Sequence, residues 1–266
     1  MEVIMLGTGN ATVTQCYNTC FVLQENDRYF LVDGGGGNGL LHQLEAAHLN
    51  WQDMRTIFVT HKHVDHLLGI LWMVRMICQN MSRGKYEGEA VIYGHEEVIR
   101  LIRSMSEMLF AQKEVQYLDE KLHLIPVADG EEKEILGRKV TFFDIQSTKA
   151  KQFGFCMDLG NGEKLTCCGD EPYKECEEKY ARGSKWLFHE AFCLYGQADI
   201  FKPYEKHHST VKDACELAEK LQVKNLVLYH TEDKNIACRK EKYLEEGKRY
   251  YKGNLFVPDD LEVIHL

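Results

Sequence analysis

The run His61-Lys62-His63-Val64-Asp65-His66 gathers three histidines and a carboxylate into six positions. Imidazole nitrogen and carboxylate oxygen are borderline-to-hard donors that suit zinc, iron or manganese. On an extended backbone His61 and His63 point to the same side, because successive side chains alternate. A turn at Asp65 then aims the next two groups at a neighbouring position. The plainer alternative is a set of exposed polar residues at a helix start, with Asp65 near its N-cap. Capping accounts for one residue and leaves three histidines without a reason, so metal ligation is the stronger reading.

The elements that must carry these groups are legible around them. Thr56-Ile57-Phe58-Val59-Thr60 is a short, β-branched apolar run, the mark of a buried strand, and it ends at His61. Residues 67–80 return to helical spacing. Upstream, residues 2–6, 19–23 and 28–32 read as strands. Asp33 is followed by Gly34, Gly35, Gly36 and Gly37, which let the backbone turn sharply and come close to another group. That glycine run lacks the spacing and lysine of a phosphate-cradling loop. Residues 40–48 have helical spacing. Further on, residues 90–93, 123–126, 139–145 and 186–189 read as strands, and 95–108 and 211–221 as helices. Residues 153–159 and 164–168 pair as a hairpin around Gly160-Asn161-Gly162. The strand at 225–229 ends at His230, and residues 262–266 are placed to close a sheet. Alternating β and α segments with polar residues at strand ends imply layered sheets covered by helices. Four prolines and no low-complexity linker give no boundary, so one domain over residues 1–266 is expected.

Composition narrows the class. The 266 residues are 44% apolar and 27% charged, an ordinary globular balance. The net charge of -9 argues against extended nucleic-acid binding, which needs clustered Lys and Arg, but leaves a small phosphodiester open. Ten cysteines without a Cys-x-x-Cys pair, and an N-terminus without a signal-peptide pattern, imply reduced thiols and a cytoplasmic location. The most apolar stretch, residues 67–77, is too short to span a bilayer.

The sequence resembles the metallo-β-lactamase superfamily, and within it the ribonuclease Z-like branch. The resemblance runs from Gly7-Thr8-Gly9 through Leu31-Val32-Asp33-Gly34-Gly35. It is sharpest at Thr60-His61-Lys62-His63-Val64-Asp65-His66-Leu67-Leu68-Gly69. It continues at Cys168-Gly169-Asp170, Phe188-His189-Glu190-Ala191, His208-Ser209-Thr210 and Leu226-Val227-Leu228-Tyr229-His230. It implies a four-layer αββα sandwich of two mixed sheets flanked by helices, with two divalent metals, zinc before manganese or iron. By the same resemblance His61 and His63 bind the first metal, Asp65, His66 and His230 the second, and Asp170 bridges both. Two metals on either side of a hydroxide lower its pKa, and Asp65 could steer or accept its proton. His208 resembles the family's proton donor and Glu190 the carboxylate that orients it. The alternative is that Ser209 or Thr210 caps the next helix, with His208 and His207 exposed. Asp33 is expected to support a metal-binding histidine through its other ring nitrogen.

Two departures bear on function. The family expects a third histidine for the first metal where this chain has Gln146, a weaker and neutral donor, which predicts a weak first site. The family's transfer-RNA arm is also missing, because Asp170 follows Gln146 after 24 positions with a tight turn between them. The expected activity is therefore metal-dependent hydrolysis of a small or cyclic phosphodiester, with a homodimer implied by the resemblance. The alternatives are hydrolysis of a lactone, thioester or amide on the same scaffold, or a metal-binding sensor that has lost turnover.

Overall fold

The computed structural model describes residues 1–266. Its strands follow the apolar runs. β1 (Glu2–Gly7), β2 (Cys20–Glu25), β3 (Arg28–Val32), β4 (Thr56–Val59), β5 (Ala90–Gly94) and β6 (Leu122–Pro126) come first. They are followed by β7 (Glu132–Ile135), β8 (Arg138–Asp144), β9 (Phe153–Gly160), β10 (Glu163–Cys167), β11 (Trp186–Glu190), β12 (Asn225–Tyr229), β13 (Asn254–Phe256) and β14 (Val263–His265). They form two mixed seven-stranded sheets, and the chain divides into two compact units, each holding one of them.

The first unit comprises Met1–Gly7, Asn18–Ala128 and Leu261–Leu266. Its sheet has the order β14-β1-β2-β3-β4-β5-β6, antiparallel as far as β3 and parallel from β3 to β6. β4 is the run that the sequence marks as buried, and Ile57, Phe58 and Val59 are fully enclosed. The helix Val64–Ser82 lays Ile70, Met73, Val74 and Ile77 into this core. Each such side chain stabilises the fold by about 1.5–3 kcal/mol relative to exposure. This helix begins three residues before the sequence places it, so Asp65 and His66 lie in its first turn rather than in a loop.

The second unit comprises Thr8–Tyr17 and Asp129–Asp260. Its sheet has the order β13-β12-β11-β10-β9-β8-β7, antiparallel from β7 to β10 and parallel from β10 to β13. All five residues of β11 and of β12 are buried, the burial expected of central parallel strands. The helices Val211–Lys220 and Arg239–Gly247 close a core around Leu187, Leu226, Leu228, Ala214, Ala218 and Tyr243. The β9–β10 hairpin turns where expected, with Gly160, Asn161 and Gly162 all at positive φ. No helix is long and apolar enough to cross a membrane.

Candidate functional site

In the first unit, one carboxylate organises the histidine run. Asp33 follows β3 at positive φ (58°), a conformation that Asp tolerates better than most residues. Its Oδ1 accepts the Thr60 backbone N–H at 2.8 Å and its Oδ2 accepts the Thr60 hydroxyl at 2.8 Å. The same Oδ2 lies 2.8 Å from His66 Nδ1. With its proton given to Asp33, the Thr60 oxygen accepts from His61 Nδ1 at 2.9 Å. Both histidines therefore carry their protons on Nδ1 and offer Nε2 as a lone pair, the arrangement that metal-binding imidazoles need. His61 Nε2 faces His63 Nδ1 at 2.8 Å, and His66 Nε2 faces Asp65 Oδ2 at 3.4 Å. The His61 and His66 ring centroids are 4.2 Å apart. Nitrogen and carboxylate donors so converged and buried fit a divalent cation. Burial alone would lower the His66 pKa, but the Asp65 and Asp33 carboxylates hold it well above the ordinary value. A cation supplies the positive charge that this proton otherwise provides.

The glycine run docks this motif. Gly34 N–H donates to His66 O at 2.8 Å, and Gly69 N–H to Gly35 O at 3.0 Å. A Cβ on Gly69 would overlap the Gly34 carbonyl oxygen, so two backbones touch where side chains do not fit.

In the second unit, the candidate side chains again follow strand ends. Asp170 comes after β10, and its Oδ2 is 3.5 Å from His230 Nε2. His230 follows β12 at φ 57°, a strained position of the kind that gathers at functional sites. Tyr229, next to it, donates its hydroxyl to Gly169 O at 2.5 Å and ties the two strand ends together. Glu190 ends β11 and is fully buried. Its Oε1 accepts the Ser209 backbone N–H, and its Oε2 is 3.6 Å from His208 Nδ1, an ion-pair distance. Ligand atoms of Glu190, His208 and His230 lie within 4.8 Å of one another. The His208 ring stacks on Phe192 with centroids 4.8 Å apart. Thr210 does cap the following helix, in a reciprocal pair with Asp213. His208 is nevertheless 7% exposed, while His207 alone turns outward.

A family model described as anti-Pycsar protein Apyc1 matches residues 1–248. The chain belongs to this family. A ribonuclease Z from Thermococcus sibiricus is 25% identical to this Apyc1-family chain over 312 residues, spanning 100% of it and 96% of the relative. Among solved structures, the metallo-β-lactamase fold protein YhfI from Bacillus subtilis superposes with a TM-score of 0.79 at 16% identity, covering 99% of this chain and 98% of its own. Zn(2+)-bound PqqB from Methylobacterium extorquens superposes at 0.73 with 13% identity, covering 100% of both chains. The protein is thus a ribonuclease Z-like hydrolase of the metallo-β-lactamase fold, with buried His, Asp and Glu groups that could hold a metal ion.

The Apyc1-family chain thus brings His61, His63, Asp65 and His66 together in one unit and Asp170, Glu190, His208 and His230 together in the other. Gln146 stands apart. Its side chain is exposed at φ 55° and lines a cavity of about 910 Å³ with Asp129, Asp144, Glu175 and Cys176, none of them an expected ligand. Cys168 is a buried thiol whose pKa burial, Glu177 and Cys167 push well up, which fits packing rather than ligation. The sequence reading missed Lys149, whose Nζ is 3.4 Å from His208 Nε2, and Glu171, which anchors the Lys149 loop. No spacing signal marks either: one is a lysine in a polar loop, the other an acid adjoining the expected ligand Asp170.

Proposed function

We propose that this hydrolase cleaves a small or cyclic phosphodiester, using two divalent metals, zinc before manganese or iron. The family resemblance supports His61, His63, Asp65, His66, Asp170 and His230 as their ligands. When bound, the metals supply Lewis acidity toward phosphoryl oxygens and attacking water. Asp65 accepts or steers the proton of that water, and His208 donates a proton to the leaving oxygen. Glu190 is a positioning residue, holding the Ser209 backbone and facing His208 Nδ1.

The observation that carries this reading is the enclosed Glu190–His208 pair. A proton donor of that kind is needed for an alkoxide leaving group and is superfluous for an acidic one. The β9–β10 hairpin favours a small substrate, since it fills the interval between Gln146 and Asp170 with a tight turn and leaves no arm. The test is zinc-reconstituted protein assayed on 3′,5′-cyclic AMP, a precursor transfer RNA, a lactone and a thioester, with metal measured per chain. The reading expects cyclic AMP to be the best substrate and His208→Ala to lower its kcat by about 100-fold or more with metal retained. Faster lactone or thioester turnover, or turnover of the transfer RNA alone, overturns it. One metal per chain with full activity overturns the binuclear part.

A further inference from the structure

His208 Nε2, the nitrogen that would face a leaving oxygen, already has a cation beside it: Lys149 Nζ at 3.4 Å. The loop carrying Lys149 is held unusually firmly for a surface segment. Glu171, 1% exposed, accepts the Ser147 hydroxyl at 2.5 Å, the Thr148 N–H at 3.2 Å and the Lys149 N–H at 3.3 Å. Lys174 completes its shell at 3.0 Å. Burial would raise the Glu171 pKa, but these bonds prevail and hold it below the ordinary carboxylate value. The Ser147 oxygen in turn accepts the Lys149 and Ala150 N–H groups, each at 3.2 Å. Thr148 Oγ1 meets His207 Nδ1 at 3.2 Å, so the loop is tied directly to the residue preceding His208. A second cation, Lys206, lies over the Phe192 ring on which His208 stacks, 4.9 Å from its centroid, whereas Lys149 faces Nε2 itself.

We propose that Lys149 is a substrate-contacting residue that, with His208, forms a subsite for the leaving oxygen of the phosphodiester. The inference rests on the reading of His208 as the proton donor and adds to it a fixed charge. In the free site the Lys149 ammonium donates to Nε2. With substrate bound, His208 is protonated on both ring nitrogens and Lys149 turns to the leaving oxygen. That oxygen takes the Nε2 proton and a hydrogen bond from the ammonium as the phosphorus–oxygen bond breaks. The attacking water's oxygen stays on phosphorus, and Lys149 keeps its protons. A positive charge already in place at the developing anion lowers the barrier without reorganisation. The backbone share of ordering this lysine is met beforehand by the Glu171 clamp. This loop lies where the family expects a ligand histidine; here its contribution is a cation directed at the leaving group.

The test is the response to leaving-group acidity. The zinc-reconstituted enzyme, Lys149→Met, Lys149→Arg, Glu171→Gln and His208→Ala are compared on cyclic AMP, whose leaving group is a ribose alkoxide, and on bis(p-nitrophenyl) phosphate, whose leaving group is an acidic phenol. Lys149→Met is expected to lose about 100-fold in kcat on cyclic AMP and less than about 3-fold on the nitrophenyl diester. Lys149→Arg should recover most of the loss, and Glu171→Gln should show the same substrate-dependent pattern more weakly. Inorganic phosphate should bind Lys149→Met about 10-fold more weakly by calorimetry. Equal losses on both diesters, or none, in a protein of unchanged melting temperature overturn the role of Lys149. If His208→Ala itself shows no dependence on leaving group, the proton-donor reading falls, and this inference with it.

Discussion

Asp33 sets the protons of two histidines at once, directly on His66 and through the Thr60 hydroxyl on His61. The histidine run was legible because its spacing is local. The Thr60 link was not, since it joins residues 27 positions apart and becomes visible only when β3 and β4 pair side by side. Lys149 was illegible for the same reason: its meaning comes from His208, 59 residues away. Glu177 gives a prediction at this scale. Burial pushes its carboxyl from 4.5 up to about 8, against the partial relief of the Lys174 N–H and the Cys168 thiol. The folded protein holds that proton more tightly than the unfolded chain does. Its contribution to stability is therefore complete below pH 4.5 and is lost as the pH rises through about 8. Glu177→Gln should flatten this slope, removing about 3 kcal/mol or less of the fall in unfolding free energy between pH 5 and 9. Urea titrations across that range decide it, and an unchanged slope would show that Glu177 is ionised in the folded state.

The two sheets repeat one pairing order, four antiparallel strands followed by three parallel ones, and the chemistry repeats with it. The last antiparallel strand of each delivers an aspartate, Asp33 after β3 and Asp170 after β10. The next strand delivers His61 after β4, and His189 and Glu190 at the end of β11. The one after that delivers His95 after β5 and His230 after β12. Carboxyl ends of parallel strands are the usual place for such groups. The sequence showed these strands through their apolar runs. It hid β7, whose Glu-Lys-Glu-Ile has no apolar alternation, and the Arg239–Gly247 helix, whose mainly charged face packs through Tyr243 and Leu244. Gly69 tests how the glycine run meets the helix that carries Asp65 and His66. Alanine there gains about 1 kcal/mol in helix propensity but drives Cβ into the Gly34 carbonyl. The clash should win, with Gly69→Ala less stable by about 2 kcal/mol or more in urea and bound metal reduced in parallel. A more stable variant with full metal would mean that the two backbones can separate at no cost.

At the scale of the molecule, the chain passes between its two units four times, at 7/8, 17/18, 128/129 and 260/261. Neither unit is a continuous stretch. This was hidden in the sequence, which offers no linker at any of the four points. The first sheet is completed only by β14, which pairs Val263, Ile264 and His265 with Ile4, Val3 and Glu2. A chain ending at Asp260 loses those pairings and buried Ile264, and leaves β1 as an open edge. It should melt with about 3 kcal/mol less stability and scatter light on heating, which calorimetry and turbidity will show. An unaltered melting curve would make β14 an ornament of the edge. In the second unit, Asp260 takes the Thr8 N–H and hydroxyl and the Tyr17 N–H, the two ends of the 8–17 segment. Segments more than 240 residues apart in sequence are therefore each other's partners in both units. Until β14 and Asp260 are made, β1 has only β2 beside it and the 8–17 segment lacks the carboxylate that holds both its ends. These contacts of high sequence separation form late and leave one strand edge open to aggregation meanwhile.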